Sequence, residues 1–238
     1  MLSDFIKNVQ QAGSYVHTNF FEAQSIGVIA RGPSNLKLQV CSDRFQHCFL
    51  AGEFNETLDR IGPYLLGKDV VMCLMQPQRY RTSPENCKKY HIQNIQVSVR
   101  GNTDNFNRIK GLYRDINVVG YINEHCLLSE KIFTYGHKGI YSTGISAVFH
   151  AIYFQPKEID IIGMDFYDEK NPQYGVSEIH DIFNDHSQEI CIKNMREGMI
   201  HNFYSMIEYC ENIQFYLFTT FKGLENTQKY KNLHIFYV

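Results

Sequence analysis

Short apolar runs, four to eight residues long and separated by segments with helical periodicity, constrain this chain more than any other feature. Seven stand clear: Ser25 to Ala30, Phe45 to Ala51, Asp69 to Met75, Ile95 to Arg100, Ile116 to Tyr121, Glu158 to Gly163 and Ile213 to Thr219, with Leu233 to Val238 a candidate eighth. Asp69-Val70-Val71-Met72-Cys73-Leu74 shows no polar alternation, as expected of a strand covered on both faces. Strands alternating with helices require crossover connections, so the expected fold is α/β, with a mainly parallel sheet flanked by helices.

The intervening segments fit that reading. Asn55 to Leu66 offers an Asn cap and then Leu58, Ile61 and Leu65 at helical spacing; Thr103 to Tyr113 repeats the arrangement with Phe106, Ile109 and Leu112. Ser142 to Phe154 runs through Ala147, Val148, Ala151 and Ile152 before Pro156 stops it, and a helix apolar nearly all round belongs in the centre. Ser187 to Glu211 is the longest candidate, with Ile190, Met195, Met199, Phe203, Met206 and Ile207 as its apolar positions. No repeat, low-complexity tract or linker divides the chain, so residues 1–238 read as a single domain. The least regular stretch, 168–185, reads as a short lid or acceptor loop.

Composition narrows the function classes. A chain of 238 residues with 17 Phe and 16 Tyr buries roughly 70% of its extended surface and has the material for a deep pocket. Its net charge of −2 lacks the basic footprint of phosphate-driven nucleic-acid binding. Seven cysteines without CxxC pairing read as reduced core thiols of a cytoplasmic protein. Nothing approaches the roughly 18 consecutive apolar residues of a membrane span, and Met1 to Lys7 lacks a signal peptide's basic and apolar regions. The cluster Gln78-Arg79-Tyr80-Arg81 with Lys88-Lys89 reads either as a solvated face or as attraction to an anionic acceptor or membrane surface, so membrane association is at most peripheral. The oligomeric state stays open, with a homo-oligomer compatible.

Three places carry residues suited to chemistry. The first strand runs into Arg31-Gly32-Pro33-Ser34-Asn35, and in open α/β sheets ligands bind at that end of the strands. The spacing matches neither GxGxxG nor a P-loop, and a turn without a ligand fits equally. Ser142-Thr143-Gly144 opens the apolar helix, where hydroxyls and free amides suit a phosphate or carboxylate, or simply cap the helix. Nearby, Ile161 to Tyr167 ends another strand and Tyr174 follows, giving two phenols. Asp185-His186 precedes the longest helix, with His180 and Asp181 upstream; an imidazole beside a carboxylate suits general base work, or else Asp185 caps and His186 lies on the surface. The HxxxxDH spacing matches no standard zinc site, and there is no GxSxG elbow or DxD, so no metal is expected.

Taken in order, these segments resemble the bacterial sialyltransferases of glycosyltransferase family 42, the Campylobacter lipooligosaccharide type, from about Ile26 to Glu208. That family holds its CMP-sialic acid donor in a Gly-Asn-Gly-Pro-Ser-Leu turn, to which Ala30-Arg31-Gly32-Pro33-Ser34-Asn35 is similar, with Arg31 where the family has Asn. Two further family amides fall on Gly52 and Gln76, and the family's Thr-Ser-Gly cradle is similar to Ser142-Thr143-Gly144, with Ile140 replacing its preceding Arg. Ser-Gly-Ile-Asp-Phe-Tyr is similar to Ile162-Gly163-Met164-Asp165-Phe166-Tyr167, the most specific match. The loop between Tyr174 and His186 is much shorter than the family's.

The resemblance implies donor binding by Arg31, Gly32, Pro33, Ser34, Gln76, Ser142, Thr143, Gly144 and Asp165. It implies that Tyr167 and Tyr174 hydrogen-bond the departing CMP phosphate. His186, opening a helix as His-Ser does in the family, would deprotonate the acceptor hydroxyl, with His180 the other candidate base. The implied fold is a single Rossmann-like domain, a GT-A-like sialyltransferase variant. The implied reaction is inverting transfer of a sialic or related nonulosonic acid from a CMP-sugar to a glycan acceptor, with no metal or cofactor. The altered amides also fit a different nucleotide sugar, and the same scaffold fits a noncatalytic nucleotide- or glycan-binding protein.

Overall fold

In the computed structural model, which describes residues 18–52, 55–74, 83–98, 103–121, 142–168 and 187–238, all eight apolar runs are strands of one sheet. They are β1 (Ser25–Ile29), β2 (His47–Ala51), β3 (Asp69–Leu74), β4 (Asn94–Ser98), β5 (Asn117–Tyr121), β6 (Glu158–Ile162), β7 (Gln214–Thr219) and β8 (Leu233–Tyr237). Their order is β5-β4-β3-β2-β1-β6-β7-β8, and every neighbouring pair is parallel, so a sheet expected to be mainly parallel is wholly so. The chain steps outward from β1 to β5, then returns to lay β6 against β1 and step the other way. Between β1 and β6 lies the topological switch point, where crossovers diverge to opposite faces and leave a crevice at the carboxyl ends of the strands.

The helices are α1 (Leu38–Cys41), α2 (Asn55–Ile61), α3 (Pro84–Lys89), α4 (Thr103–Leu112), α5 (Thr143–Tyr153) and α6 (Ser187–Tyr209). Strand side chains alternate between two cores. On one face Val28, Phe49, Val71, Ile161 and Leu217 meet α5 and α6 through Phe149, Ile152, Phe203 and Met206. On the other, Ile29, Leu50, Met72, Ile95 and Ile162 meet α1, α2 and α4 through Leu38, Leu58 and Ile109. Every residue of α5 from Ile145 to Tyr153 is buried, as its all-round apolarity requires, and the helix packs on β1, β2, β3 and β6.

Two local departures from periodicity have simple causes. α2 ends at Ile61 rather than Leu66, because Pro63 has no amide to continue the ladder, and the chain goes on as a 3-10 turn, Gly62–Leu65. α3 is too short to show a period, but its ends are written plainly: Ser83 accepts the Asn86 amide as a cap and Pro84 opens the first turn. In α3, Lys89 Nζ binds Asp59 at 3.0 Å and Lys88 lies 4.0 Å from Asp115, which makes this part of the cationic cluster a solvated face. Gln78 to Arg81 lie outside the described residues.

Cys41, Cys48, Cys73, Cys87 and Cys210 are buried free thiols, and burial pushes Cys48, Cys87 and Cys210 up to about 12, so none of these is a thiolate at neutral pH. Among the described residues, no helix is long and apolar enough to cross a membrane.

His150, in the middle of α5, is 1% exposed and lies near the rings of Phe49 and Phe149. Burial pushes its imidazole down to about 3. The folded chain therefore keeps it neutral while the unfolded chain takes up a proton below about 6.5, and stability falls as pH drops from there toward about 3. In His150→Met, the slope of unfolding free energy against pH between about 4 and 6 should fall by close to one proton, about 1.4 kcal/mol per pH unit. Urea titrations across that range measure it.

Candidate functional site

Beyond their last paired residues, β1 and β6 stay in register. Ala30 donates its amide to Ile162 at 2.7 Å, and Gly32 donates to Gly163 O at 2.7 Å. Gly163 has φ +79°, and a Cβ there would overlap the Ala30 carbonyl, with its carbon at 2.8 Å, so only glycine permits the approach. Ser34, 2% exposed, fixes the turn from within: its Oγ accepts the Gly163 amide at 3.0 Å and donates to Phe218 O at 3.0 Å.

Asp165 is fully buried, and its carboxylate is met by protein donors. Oδ2 accepts Ser34 N at 2.9 Å, while Oδ1 accepts Thr219 Oγ1 at 2.9 Å and Thr220 N at 2.7 Å. A buried carboxylate is tolerable only when so satisfied. These bonds tie the ends of β1, β6 and β7 into one unit. Ser34 and Asp165 thus serve the site by holding its walls.

Asp165 also begins a tight turn, its carbonyl accepting the Asp168 amide at 2.9 Å. Phe166 and Tyr167 between them have φ +47° and +53°, the left-handed pair of a type I′ turn, which ordinarily selects Asn-Gly. Phe166 is buried against Phe203 and Phe221, at 5.6 Å from each ring. Tyr167 is half-buried and packs against the same core. Burial raises its phenol, and the nearby Arg31 charge works the other way, so at neutral pH Tyr167 is a protonated donor with a cation close by.

The amino end of α5 closes the third side. Ser142 Oγ accepts the Ile145 amide at 3.2 Å, the capping role open to it, while Thr143 and Gly144 are the first two positions of the helix, whose amides have no intrahelical acceptor. A Cβ on Gly144 would come within 3.2 Å of Met164 Cε and 3.6 Å of Ala30 Cβ, so this helix start rests directly on the ends of β1 and β6. The segments that carry Arg31 and Tyr167 and the amino end of α5 therefore meet at the switch point. One full positive charge, one hydroxyl donor and one helix N-terminus make a place for an anion.

Gly52, at the end of β2, has φ +100° and donates to Cys73 O at 3.0 Å, a conformation that favours glycine where the resembled family carries Asn. Gln76, Tyr174, His180, Asp181, Asp185, His186 and residues 169–185 of the lid lie outside the described residues. Arg196 was not among the sequence candidates: from α6 its Nε donates to Phe166 O at 3.0 Å and its Nη2 to Tyr167 O. Nothing in the sequence pattern marks it, because its partners are backbone carbonyls. A separate cavity of about 280 Å³, lined by Ile200, Tyr204, Glu225 and Tyr230 among others, shares no residue with the switch-point group. Among the described residues, no cluster of His, Cys, Asp and Glu is placed to hold a metal ion. No protein-family model and no curated protein matches the chain.

The close approach at Gly163 is testable against a glycine with the same backbone but open surroundings. Gly163→Ala combines left-handed strain with overlap on the Ala30 carbonyl and should cost about 3 kcal/mol. Gly67→Ala, at φ +78° with nothing within 4 Å, should cost only about 1 kcal/mol. Urea midpoints of the two variants give the comparison.

Proposed function

We propose that this chain is a glycosyltransferase of the family 42 sialyltransferase type, a GT-A-like variant. It moves a sialic or related nonulosonic acid from a CMP-sugar to a glycan acceptor with inversion. The observation that carries the reading is the convergence of Arg31, Tyr167 and the amino end of α5 on the switch point, where the leaving phosphate of a nucleotide sugar requires positive charge and hydrogen-bond donors.

In this reading His186 takes the proton of the acceptor hydroxyl as that oxygen bonds to the anomeric carbon of the donor sugar. The bond from that carbon to the phosphate oxygen breaks, and the electron pair leaves with CMP. The sugar passes through an oxocarbenium-like state, so catalysis depends on a base for the acceptor and on stabilising the departing phosphate. Tyr167 donates its phenol to that phosphate beside Tyr174, Arg31 supplies charge where the resembled family uses an amide, and Thr143 and Gly144 offer helix-terminal amides. Gly32 and Pro33 shape the donor turn, Ser34 and Asp165 hold it, and Gln76 completes the nucleotide side. No metal is required for these steps.

A second reading, transfer from a different nucleotide sugar, is favoured by the charge at Arg31 and the bare Gly52 backbone where the family places amides. Titration calorimetry with CMP, UMP and GMP separates the two, and hydrolysis of CMP-sialic acid follows in the same sample. Selective CMP binding with slow hydrolysis is expected. Binding of another nucleotide in preference to CMP would move the assignment to the second reading. Tyr167→Phe should lower turnover on the order of 10²-fold, as loss of one donor to a developing anion does, with the urea midpoint unchanged. Unaltered turnover would remove Tyr167 from the phosphate.

A further inference from the structure

Resting on the reading that Tyr167 serves the leaving phosphate, we infer that Arg196 is the positioning residue that holds Tyr167 in its working conformation. Two consecutive non-glycine residues with positive φ form an unfavourable turn, and such residues persist only when their surroundings over-determine them. Three restraints act here. Asp165 fixes the start of the turn through its buried carboxylate, and the Phe166 ring is anchored between Phe203 and Phe221. The third restraint is Arg196, whose guanidinium donates through two different nitrogens to the carbonyls of both strained residues.

This third restraint bonds the Tyr167 backbone directly, and its geometry depends on a planar fork that lysine does not possess. The guanidinium is itself located by the Phe221 ring, 5.6 Å from its carbon, so the clamp is built against the core rather than swinging from the surface. Through these bonds to backbone oxygens Arg196 acts on a donor phosphate at one remove, by holding the Tyr167 phenol within the influence of Arg31.

The test compares CMP-sialic acid hydrolysis by the unaltered chain, Tyr167→Phe, Arg196→Lys and the double variant. Arg196→Lys keeps the charge and loses the fork; it should lower kcat roughly ten- to hundredfold with the donor KM little moved, as a displaced catalytic group does. The double variant should turn over no more slowly than Tyr167→Phe alone, because Arg196 acts only through that phenol. Unchanged kcat in Arg196→Lys, or single effects that multiply in the double variant, would overturn the inference. Were Tyr167→Phe itself to leave turnover unaltered, the phosphate reading would fall, and the clamp would be judged by fluorescence. The chain has no Trp, so Tyr167→Trp introduces a lone indole at the turn. Adding Arg196→Lys should increase its acrylamide quenching and lower its anisotropy; no change in either would overturn the clamp.

Discussion

The buried carboxylate of Asp165 is the interaction on which the rest of the site depends. In a wholly parallel sheet every strand delivers its chain to the same edge, and the emerging loops have no ladder to order them. Asp165 supplies one. It gathers an amide from the β1 turn and an amide and a hydroxyl from the end of β7, while its own backbone starts the turn that carries Tyr167. A charge with no solvent exposure would be costly if any of these donors withdrew, so the three strand ends hold together or come apart together. Ser34 adds a second tie through Gly163 N and Phe218 O. Rigidity at a strand edge, which surface loops ordinarily lack, is thereby built into the walls of the crevice.

Much of this was legible in the sequence, for physical reasons that differ by element. The strands announce themselves because both faces of the sheet are covered, which leaves uninterrupted apolar runs such as Val70 to Leu74. α5 announces itself because a central helix has no polar face. Helix endings were less legible: Pro63 cuts α2 short of the periodic Leu65, since a missing amide outranks a well-placed apolar residue. At the site, the segments that converge are the ones the sequence singled out, but Ser34 and Asp165 turn inward and act on the protein's own backbone. A motif preserves residue types without saying which way they face. Arg196 was illegible altogether, because carbonyl acceptors are present at every position and leave no trace in composition or spacing.

In the proposed reading, the switch point favours an anion by short-range means. The chain as a whole is slightly acidic, with a net charge of −2, so long-range steering contributes little to binding a charged donor. What matters is the local arrangement: the Arg31 charge acting on the Tyr167 phenol, and the amino end of α5 resting on the ends of β1 and β6. Burial of Tyr167 raises its phenol while Arg31 opposes that rise, and the balance keeps a proton on the hydroxyl with a cation alongside. In that reading, a neutral donor and a positive charge do different work on a leaving phosphate. The first supplies direction and the second supplies field, and in a half-buried cleft both exceed their worth in water.

The type I′ turn at Phe166-Tyr167 unites these themes. Its backbone is unfavourable for both residues, and an Asn-Gly pair would adopt it at lower cost. Asn-Gly would supply neither the buried ring that fixes the turn on Phe203 and Phe221 nor the Tyr167 phenol. The mirror-image turn places two successive aromatic side chains on the core, the second within reach of the Arg31 charge, within a reversal only four residues long. An ordinary type I turn would aim the second side chain elsewhere. Strain of order 1–3 kcal/mol per residue is therefore the cost of aiming a phenol from a rigid base, and it is offset by the Asp165 bonds, the aromatic anchor and the Arg196 fork. That several independent restraints converge on one costly turn is what distinguishes a placed side chain from one that merely fell at the end of a strand.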